Sequence, residues 1–331
     1  MKAIQMHAPG GPEVLEPAEV PTPEATGPTE LLVRLKAAGV NPIDTKLRGR
    51  GTYFPDRYPA ILGCDGAGVV EAAGPDCHRF QPGDEVYFCN GGIGGHPGNY
   101  AQYAVVDERF AAAKPAGIAF AEAGAAPLVC ITAWEALHDR ARIRPGQRVL
   151  VHAGAGGVGH TAIQVAKAAG CQVVTTVGSE GKAAFARELG ADATVDYHDG
   201  DWVEQVTAWS NGGVDAALDT VGGATFQQSF GAVRPYGDLV TLLQPGGDVD
   251  WKPARLRNLR TGLELMLSPM YFGWADAQAH QARILEECRQ LFEDGRLSIR
   301  VADRLPLGEA AEAHRRIEAG GMQGKLVLEV P

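Results

Sequence analysis

Apolar and polar residues alternate with a strand-like period in the first part of this chain and with strand-like and helical periods in the second. This change divides the chain into two parts. Residues 1–125 contain short apolar segments, such as ELLVRLKAAGV and DEVYF, which Pro, Gly and Asp separate. This pattern is typical of β-strands joined by tight turns, and it suits an all-β unit. From residue 127 a helical pattern begins, and after Gln147 apolar runs of strand length alternate with helices. The second part therefore predicts βαβ units around a parallel sheet, and the chain as a whole an α/β protein.

The predicted elements have approximate bounds. Helices are expected at 127–140 and 180–189, and strands at 148–153, 171–177, 193–196, 214–219 and 238–243. After about residue 265 the pattern changes again, because one amphipathic helix is followed by the β-like segments LSIRV and GKLVLEV. We expect this tail to return to the first domain. The predicted division is therefore 1–125, 126–265 and 266–331, with the last segment completing the first.

Composition and charge narrow the class of protein. The 331 residues carry a net charge of −10 without a Lys/Arg stripe, which argues against a nucleic-acid partner. No apolar run reaches the roughly 20 residues of a membrane helix, and the N-terminus lacks the apolar core of a signal peptide. The six cysteines include no CxxC pair, which favours a reducing compartment. These features predict a cytoplasmic protein with no membrane partner.

The strongest motif is a glycine-rich turn in VLVHAGAGGVGHTAIQVAKAAG, residues 149–170. Gly154, Gly156 and Gly159 form G-x-G-x-x-G directly between a predicted strand and an amphipathic helix, with Gly157 and Val158 inside the motif. Such glycines allow a tight turn, backbone approach to a pyrophosphate and close packing of helix on strand. The helix N-terminus offers free N–H groups to phosphates. We therefore predict a dinucleotide site here, although the same motif also suits an ordinary strand–helix turn.

The end of the second strand bears on the choice between NAD and NADP. An NAD site places Asp or Glu about 20 residues after the motif, where it binds the ribose 2′-hydroxyl. Here the strand ends in TTVGS without an acid, and Ser179 and Lys182 are suited to a 2′-phosphate. Glu180 complicates this interpretation, unless it is a first-turn acid that the helix dipole favours. We predict NADPH as the cofactor.

Three stretches together carry a family resemblance. They are GVNPIDTKLRG, YPAILGCDGAGVVEAAG, and PLVCITAWEAL leading into HAGAGGVG. They resemble the medium-chain dehydrogenase/reductase superfamily, specifically its zinc-free, zeta-crystallin-like quinone oxidoreductase branch, and the likeness extends to QGKLVLEV. The resemblance implies a discontinuous GroES-like β domain, formed by 1–125 and 266–331, and a Rossmann domain at 126–265.

The resemblance also bears on metals. Aligned by motif, the catalytic zinc ligands of zinc-dependent members fall on Asn41, Cys64 and Leu128. A catalytic zinc needs about three protein ligands, and only Cys64 could serve. The lobe that carries four cysteines in relatives contains only Cys89, and Ile43 stands where zinc alcohol dehydrogenases have a relay hydroxyl. We predict no metal, and an acceptor that conjugation already polarises.

The branch's own loop supplies the candidates for substrate contact. Asn41 either donates to a substrate oxygen that gains negative charge or caps the following helix. Asp44 is expected to organise the loop, and Lys46 stands where many relatives have a tyrosine. Tyr53 either fills that role or is a buried aromatic. Cys64 is either a small packed residue or a reactive thiol.

By resemblance, the cofactor site extends beyond the glycine motif. Thr132 matches a position that faces the nicotinamide, and Tyr197 matches an aromatic that flanks the 2′-phosphate, unless it is only a loop tyrosine. The other expected neighbours of the dinucleotide are Thr220, Val221, Leu242, Leu243 and Gln244.

The resulting hypothesis is an NADPH-dependent oxidoreductase that transfers a hydride to a quinone or another α,β-unsaturated carbonyl without a metal. Two alternatives stay open, an NADPH-binding crystallin-like protein with little turnover and a zinc alcohol dehydrogenase. The resemblance also implies a homodimer that pairs edge strands near 261–267. We expect the glycine loop Gly91–Gly98 to be a mobile rim, and we assign no role to His152, His160 or His314.

Overall fold

A computed structural model describes all residues from Met1 to Pro331. The chain divides into two compact units. The first unit comprises Met1–Leu128 and Leu267–Pro331, and the second unit comprises Val129–Met266. The predicted α/β class is confirmed, since both units combine a sheet with helices. None of the helices is long and apolar enough to cross a bilayer.

Fifteen strands form three sheets. In chain order the strands are β1 (Lys2–Gln5), β2 (Glu16–Glu19), β3 (Glu30–Val40), β4 (Asp65–Ala73), β5 (Glu85–Cys89), β6 (Tyr103–Asp107), β7 (Ala111–Ala113), β8 (Arg148–Val151), β9 (Gln172–Val177), β10 (Ala193–Asp196), β11 (Val214–Asp219), β12 (Val233–Thr241), β13 (Arg260–Leu263), β14 (Val301–Pro306) and β15 (Lys325–Glu329).

Eleven α-helices accompany them. They are α1 (Pro42–Arg50), α2 (Phe120–Ala125), α3 (Pro127–Trp134), α4 (Gly157–Ala168), α5 (Glu180–Glu188), α6 (Trp202–Trp209), α7 (Gly223–Ala232), α8 (Lys252–Leu256), α9 (Ser268–Phe272), α10 (Ala275–Glu293) and α11 (Ala310–Ala319).

The main sheet of the first unit has the strand order β14-β15-β3-β4-β5-β7, and β6 also pairs with β3. β15 runs antiparallel to β3, with Leu326 opposite Val40. This pairing brings the C-terminal strand beside the end of β3, directly before α1. The expectation of an all-β unit is wrong for α1 and α2, because Asn41-Pro42 begins a helix and an alanine-rich segment forms another.

The second unit has a six-stranded parallel sheet in the order β10-β9-β8-β11-β12-β13. This is the strand order of a Rossmann fold, so the predicted parallel sheet is confirmed. The inner strands β8, β9 and β11 are almost entirely buried, because both faces of the sheet are covered there, whereas the edge strand β13 is largely exposed. Val149 and Val151 belong to one apolar cluster and Leu150 to the other, as the alternation of side chains requires.

The helix predicted at 127–140 changes its winding part-way. Residues 127–134 are α-helical, but 135–140 form a π-helical turn in which Ala141 N–H bonds to the carbonyl of Ala136. Such a turn inserts one extra residue and rotates the segment after it. Strand ends also differ from the prediction. β8 ends at Val151 because the chain turns immediately afterwards, and β12 begins at Val233, earlier than expected.

Candidate functional site

The glycine turn lies between β8 and α4 of the second unit. A methyl group built on Gly159 would overlap the carbonyl oxygen of Ala153, so this glycine allows the helix to pack against the turn. A methyl group on Gly156 would meet only that same oxygen, at 3.2 Å, because Gly156 faces open space as the N-cap of α4. The arrangement leaves the N-terminus of α4 available to an anion, as a pyrophosphate site requires.

His152, which the sequence left without a role, anchors this turn. Its Nδ1 lies 3.0 Å from Thr176 Oγ1 and its Nε2 lies 3.0 Å from Ser229 Oγ. The Ser229 hydroxyl donates to the Thr225 carbonyl at 2.6 Å, so Ser229 accepts from Nε2–H and Thr176 donates to Nδ1. Burial lowers the pKa of His152 to about 4. The turn is therefore held by a neutral histidine whose two nitrogens are both satisfied.

The predicted 2′-phosphate residues gather at the ends of β9 and β10. Ser179 is the N-cap of α5 and accepts from the Lys182 N–H at 3.4 Å. Tyr197 is 49% exposed, and its hydroxyl lies directly over the α-carbon of Gly178, where a side chain would collide with it. The Glu180 carboxylate is bound by Arg187 at 2.7 Å within the same helix. This ion pair offsets the charge that would oppose a phosphate.

The remaining predicted cofactor residues lie at the ends of β11 and β12, except for one. Asp219, which the sequence analysis did not single out, accepts from the N–H groups of Val221 and Gly222, both at 2.9 Å, and from the Thr241 hydroxyl at 2.8 Å. The Thr220 hydroxyl donates to the carbonyl of His152 at 2.9 Å. Three others, namely Leu242, Leu243 and Gln244, follow directly after β12. Thr132 is separate in sequence and lies buried on α3.

In the first unit, Asn41 precedes α1 and is 1% exposed. The Asp44 carboxylate accepts its backbone N–H at 2.8 Å, but the Asn41 side chain does not cap the helix in return. Its Nδ2 instead donates to Asp65 Oδ2 at 2.8 Å, and its Oδ1 accepts from the ammonium of Lys325. Asp65 and Lys325 were not predicted, because each is far from Asn41 in sequence.

Burial shifts the two carboxyl groups of this cluster upward. It raises the pKa of Asp65 to about 6, although the ammonium of Lys325, 3.8 Å away, opposes the shift. It raises the pKa of Asp44 to about 7, against the hydrogen bond from the Asn41 N–H. Asp44 also accepts from the Tyr100 hydroxyl at 3.0 Å, while one of its oxygens has no hydrogen-bond partner. Asp44 is thus a loop-organising residue with a further link into the core.

That link ends at His314 on α11. The Tyr100 hydroxyl lies 3.2 Å from His314 Nε2, and the ring of His314 is fully buried. Burial lowers the pKa of His314 to about 3, with a smaller contribution from the charge of Arg48. Asp44, Tyr100 and His314 therefore form a continuous buried chain of polar groups, which no spacing in the sequence indicated.

The other substrate candidates differ in exposure. Lys46 is exposed, whereas Cys64 is fully buried, with the thiol of Cys89 as a neighbour. The Cys89 contact lowers the pKa of the Cys64 thiol, but burial and nearby carboxylates raise it by more. The structure therefore favours a packed thiol over a reactive thiolate. Tyr53 is half-buried, and its ring centroid lies 5.3 Å from that of Tyr271.

The glycine loop Gly91–Gly98, for which the sequence predicted a mobile rim, is packed against the rest of the first unit. Most of its residues are buried, and Ile93 accepts the backbone N–H of Tyr53 at 3.1 Å. A side chain on Gly98 would overlap the carbonyl of Leu62. The glycines here permit close packing of backbone on backbone, which composition alone does not distinguish from flexibility.

This geometry has counterparts among known proteins. Residues 27–116 match the model of the alcohol dehydrogenase GroES-like domain, and residues 189–328 match that of the zinc-binding dehydrogenases. A quinone oxidoreductase from Pseudomonas aeruginosa is 36% identical over 328 residues, which are 99% of this chain and 99% of that one. The chain belongs to the quinone oxidoreductase family. The predicted superfamily, its GroES-like and Rossmann folds and the oxidoreductase class are confirmed.

Two solved structures show how widely similar chains vary. An NAD-dependent alcohol dehydrogenase matches with a TM-score of 0.91 and 36% identity, covering 100% of each chain. The quinone oxidoreductase of Escherichia coli, solved with NADPH, matches with a TM-score of 0.86 and 30% identity, covering 99% of this chain and 100% of that one. The fold is common to both, so the cofactor preference of this family member depends on its own residues.

The zinc-binding dehydrogenase model matches residues 189–328, but this quinone oxidoreductase family member has no set of ligands for a zinc ion. Asn41 is bound to Asp65 and Lys325, Leu128 has no ligating side chain, and the free, buried thiol of Cys64 is not a ligand set by itself. Among all 331 residues, no group of three His, Cys, Asp or Glu side chains is placed to hold a metal ion. The residues present do not fit a catalytic zinc.

Proposed function

We propose that this protein is an NADPH-dependent reductase that transfers a hydride to a quinone or another α,β-unsaturated carbonyl without a metal. The observation that carries the proposal is the open N-terminus of α4 at Gly156, with a phosphate-compatible strand end nearby in the same unit. Membership of the quinone oxidoreductase family supports the acceptor class. NADPH, when bound, supplies the hydride from its nicotinamide ring.

The residues of the second unit fit the cofactor. The turn at Gly156 admits the pyrophosphate, because a methyl group built there would meet only the carbonyl oxygen of Ala153 and no side chain. Ser179, Lys182 and Tyr197 would hold a 2′-phosphate, with Tyr197 exposed for stacking and Glu180 already paired with Arg187. The NADPH complex of the Escherichia coli relative supports this assignment, whereas the NAD-dependent relative makes it worth testing directly.

The residues of the first unit fit a conjugated carbonyl. Such an acceptor gains negative charge on oxygen as the hydride arrives at carbon, and a preorganised N–H donor stabilises that charge. Asn41 has one amide hydrogen bound to Asp65 and a second for which the structure gives no partner. Tyr53 and Tyr271 provide aromatic surface for a flat ring. Lys46 and Cys64 stay predicted residues of the substrate pocket, and we assign them no chemical role.

NADPH consumption tests the proposal. The purified protein is mixed with NADPH or NADH and with benzoquinone, a cyclic enone or an enoyl thioester, and loss of nicotinamide absorbance is followed. We expect turnover with at least one acceptor, and a kcat/KM for NADPH at least about tenfold above that for NADH. Turnover that requires added zinc, or oxidation of simple alcohols only, would contradict the proposal.

An NADPH-binding protein with little turnover is the second candidate. The near-complete burial of Asn41 favours it, since an acceptor oxygen needs access to the amide. Quenching of protein fluorescence by NADPH, without oxidation of the cofactor by any acceptor in the panel, would support this candidate.

Two further features belong to the proposal. We place the protein in the cytoplasm, which the six free cysteines support. We also expect a homodimer, because β13 is an edge strand whose last residue, Leu263, is more than half exposed, as is Leu265 shortly after it. Sedimentation analysis of the purified protein tests the oligomeric state.

A further inference from the structure

The side-chain amide of Asn41 is held at both ends by buried charged groups of the first unit. Asp65 Oδ2 accepts from Nδ2 at 2.8 Å, and the Lys325 ammonium donates to Oδ1. Asp65 and Lys325 are 0% and 3% exposed. The three residues come from the start of β4, the start of β15 and the N-cap of α1. Three separate elements therefore converge on one amide.

The partners of the two charged groups define their positions firmly. The other oxygen of Asp65 accepts the Leu128 N–H at 2.7 Å, and the Lys325 ammonium also donates to the Val40 carbonyl at 3.1 Å. A buried ion pair is weak evidence for stability, because apolar residues of similar volume often serve as well. We therefore looked to a role for the Asp65–Lys325 pair other than stabilising the fold.

The physics of an amide suggests that role. An ammonium at the amide oxygen draws electron density away from the nitrogen, so the N–H groups become stronger donors, and a low dielectric enlarges the effect. The carboxylate at one N–H weakens the other slightly but fixes the plane of the amide. The second hydrogen of Nδ2 is then held in one direction without a protein partner.

We propose that Lys325 and Asp65 are positioning residues that polarise and orient the amide of Asn41 toward the oxygen of the acceptor. The inference rests on the proposed function, since it is the hydride transfer that places negative charge on that oxygen. Lys325 acts through Asn41 and touches no substrate itself. The C-terminal strand thereby contributes to chemistry at a loop near the N-terminus.

Steady-state kinetics test the role of the ammonium. Lys325→Met should lower kcat for benzoquinone about tenfold while KM changes less than about threefold, because a donor that matters in the transition state is weakened. Lys114→Met is the matched control, since Lys114 is a largely buried lysine of the same unit, bound to the Ile118 carbonyl at 2.8 Å. It should leave both constants within about twofold.

Removing one partner of a buried pair can unfold a protein, so a charge-balanced comparison is needed. Asp65→Asn with Lys325→Met is compared with Asp65→Asn alone, with thermal melting to verify folding. The kcat of the double variant should be about tenfold below that of Asp65→Asn alone, because only the double variant lacks the Lys325 ammonium. Equal kcat in these two variants, or a loss in Lys325→Met no larger than in Lys114→Met, would overturn the inference.

A readout without turnover separates this inference from the proposed function. Bound 4-nitrophenol reports donor strength, because a strong donor at its oxygen lowers its pKa, which absorbance measures. We expect wild type to lower that pKa more than Lys325→Met does. If wild type reduces no acceptor but this difference is present, the proposed function fails and the inference stands. No binding of 4-nitrophenol to wild type, or the same pKa in both proteins, would overturn the inference.

Discussion

The glycine turn of the second unit is anchored by a buried neutral histidine, whereas the first unit buries several ionisable groups around Asn41. His152 is neutral and fully hydrogen-bonded, and the turn that it anchors presents backbone N–H groups. By contrast, burial raises the pKa of Asp44 to about 7 and that of Asp65 to about 6, and the Lys325 ammonium lies 3.8 Å from Asp65. The difference matches two tasks. A phosphate brings its own charge and needs only oriented dipoles, but an acceptor that becomes charged during reaction needs fixed donors.

The largest expected effect that tests this contrast is the change of folding stability with pH, to which the buried groups of the first unit contribute. The folded pKa of Asp44 is about 7, raised from 3.8, so the folded state binds more protons between these values. Its contribution to stability therefore falls as pH rises from 4 to 7, by on the order of 2–4 kcal/mol. His314, lowered from 6.5 to about 3, contributes in the opposite sense over pH 3 to 6.5.

Asp44→Asn should remove the larger falling component and leave the smaller one from Asp65, whose pKa is raised from 3.8 to about 6. Urea unfolding of the variant should show stability that rises from pH 4 to 6.5 more steeply than in wild type. Above pH 6.5 the variant should be flat, where wild type still loses stability. Parallel pH profiles for variant and wild type would mean that Asp44 ionises normally, and that the first unit does not differ from the second in this respect.

A next test sharpens the contrast within the second unit. Gly159→Ala should destabilise the free protein by about 1–3 kcal/mol, because the new methyl overlaps the Ala153 carbonyl. Gly156→Ala is the matched variant, since its methyl is nearly accommodated at 3.2 Å, and it should change stability little but weaken NADPH binding. Melting temperature and a fluorescence titration measure the two effects. Equal stability of the variants would contradict this division of roles.

A substitution directly after β9 should have an effect of intermediate size on nucleotide binding. Lys182→Ala should weaken NADPH about tenfold and NADH less than about twofold, because a single charge-assisted contact to the 2′-phosphate is lost. Exposed Lys252, which begins α8 in the same unit, offers a matched control substitution to Ala. Equal weakening of both nucleotides by Lys182→Ala would remove this residue from the phosphate site.

The smallest effect is expected at Glu180. Its pairing with Arg187 at 2.7 Å is exposed, and such ion pairs contribute only about 0.2–1 kcal/mol. Glu180→Gln should therefore tighten NADPH no more than about threefold, as a partly offset charge is removed. A larger change, measured by titration at low salt, would indicate that Glu180 faces the cofactor.

The difference between the units also explains how much the sequence could predict. The glycine turn, its strand and its helix are contiguous, so a local motif with a known backbone role identified them. The phosphate candidates Ser179 and Lys182 follow one strand later in the same repeating pattern. Even in this unit, the role of Asp219 was not predicted. Its carboxylate accepts hydrogen bonds from the turn that follows its own strand, and no sequence pattern indicates such bonds.

The cluster in the first unit is a different case. Asn41 and Asp44 were found through resemblance, but Lys325 lies 284 residues from Asn41 and Tyr100 lies 214 residues from His314. Only sheet pairing and helix packing join such residues, and one sequence carries no record of either. One signal was present, since a lysine directly before the apolar strand segment LVLEV is unusual at a buried end.

The pairing of β15 with β3 has a consequence for the order of events during synthesis. The second unit is one contiguous stretch, so the ribosome completes it before β15 emerges. Asn41 meets its lysine only after a further 284 residues have been made. Nascent chains should therefore acquire nucleotide affinity earlier than reducing activity, and a ribosome-bound intermediate that holds the coenzyme without consuming it would be the natural precursor of the finished protein.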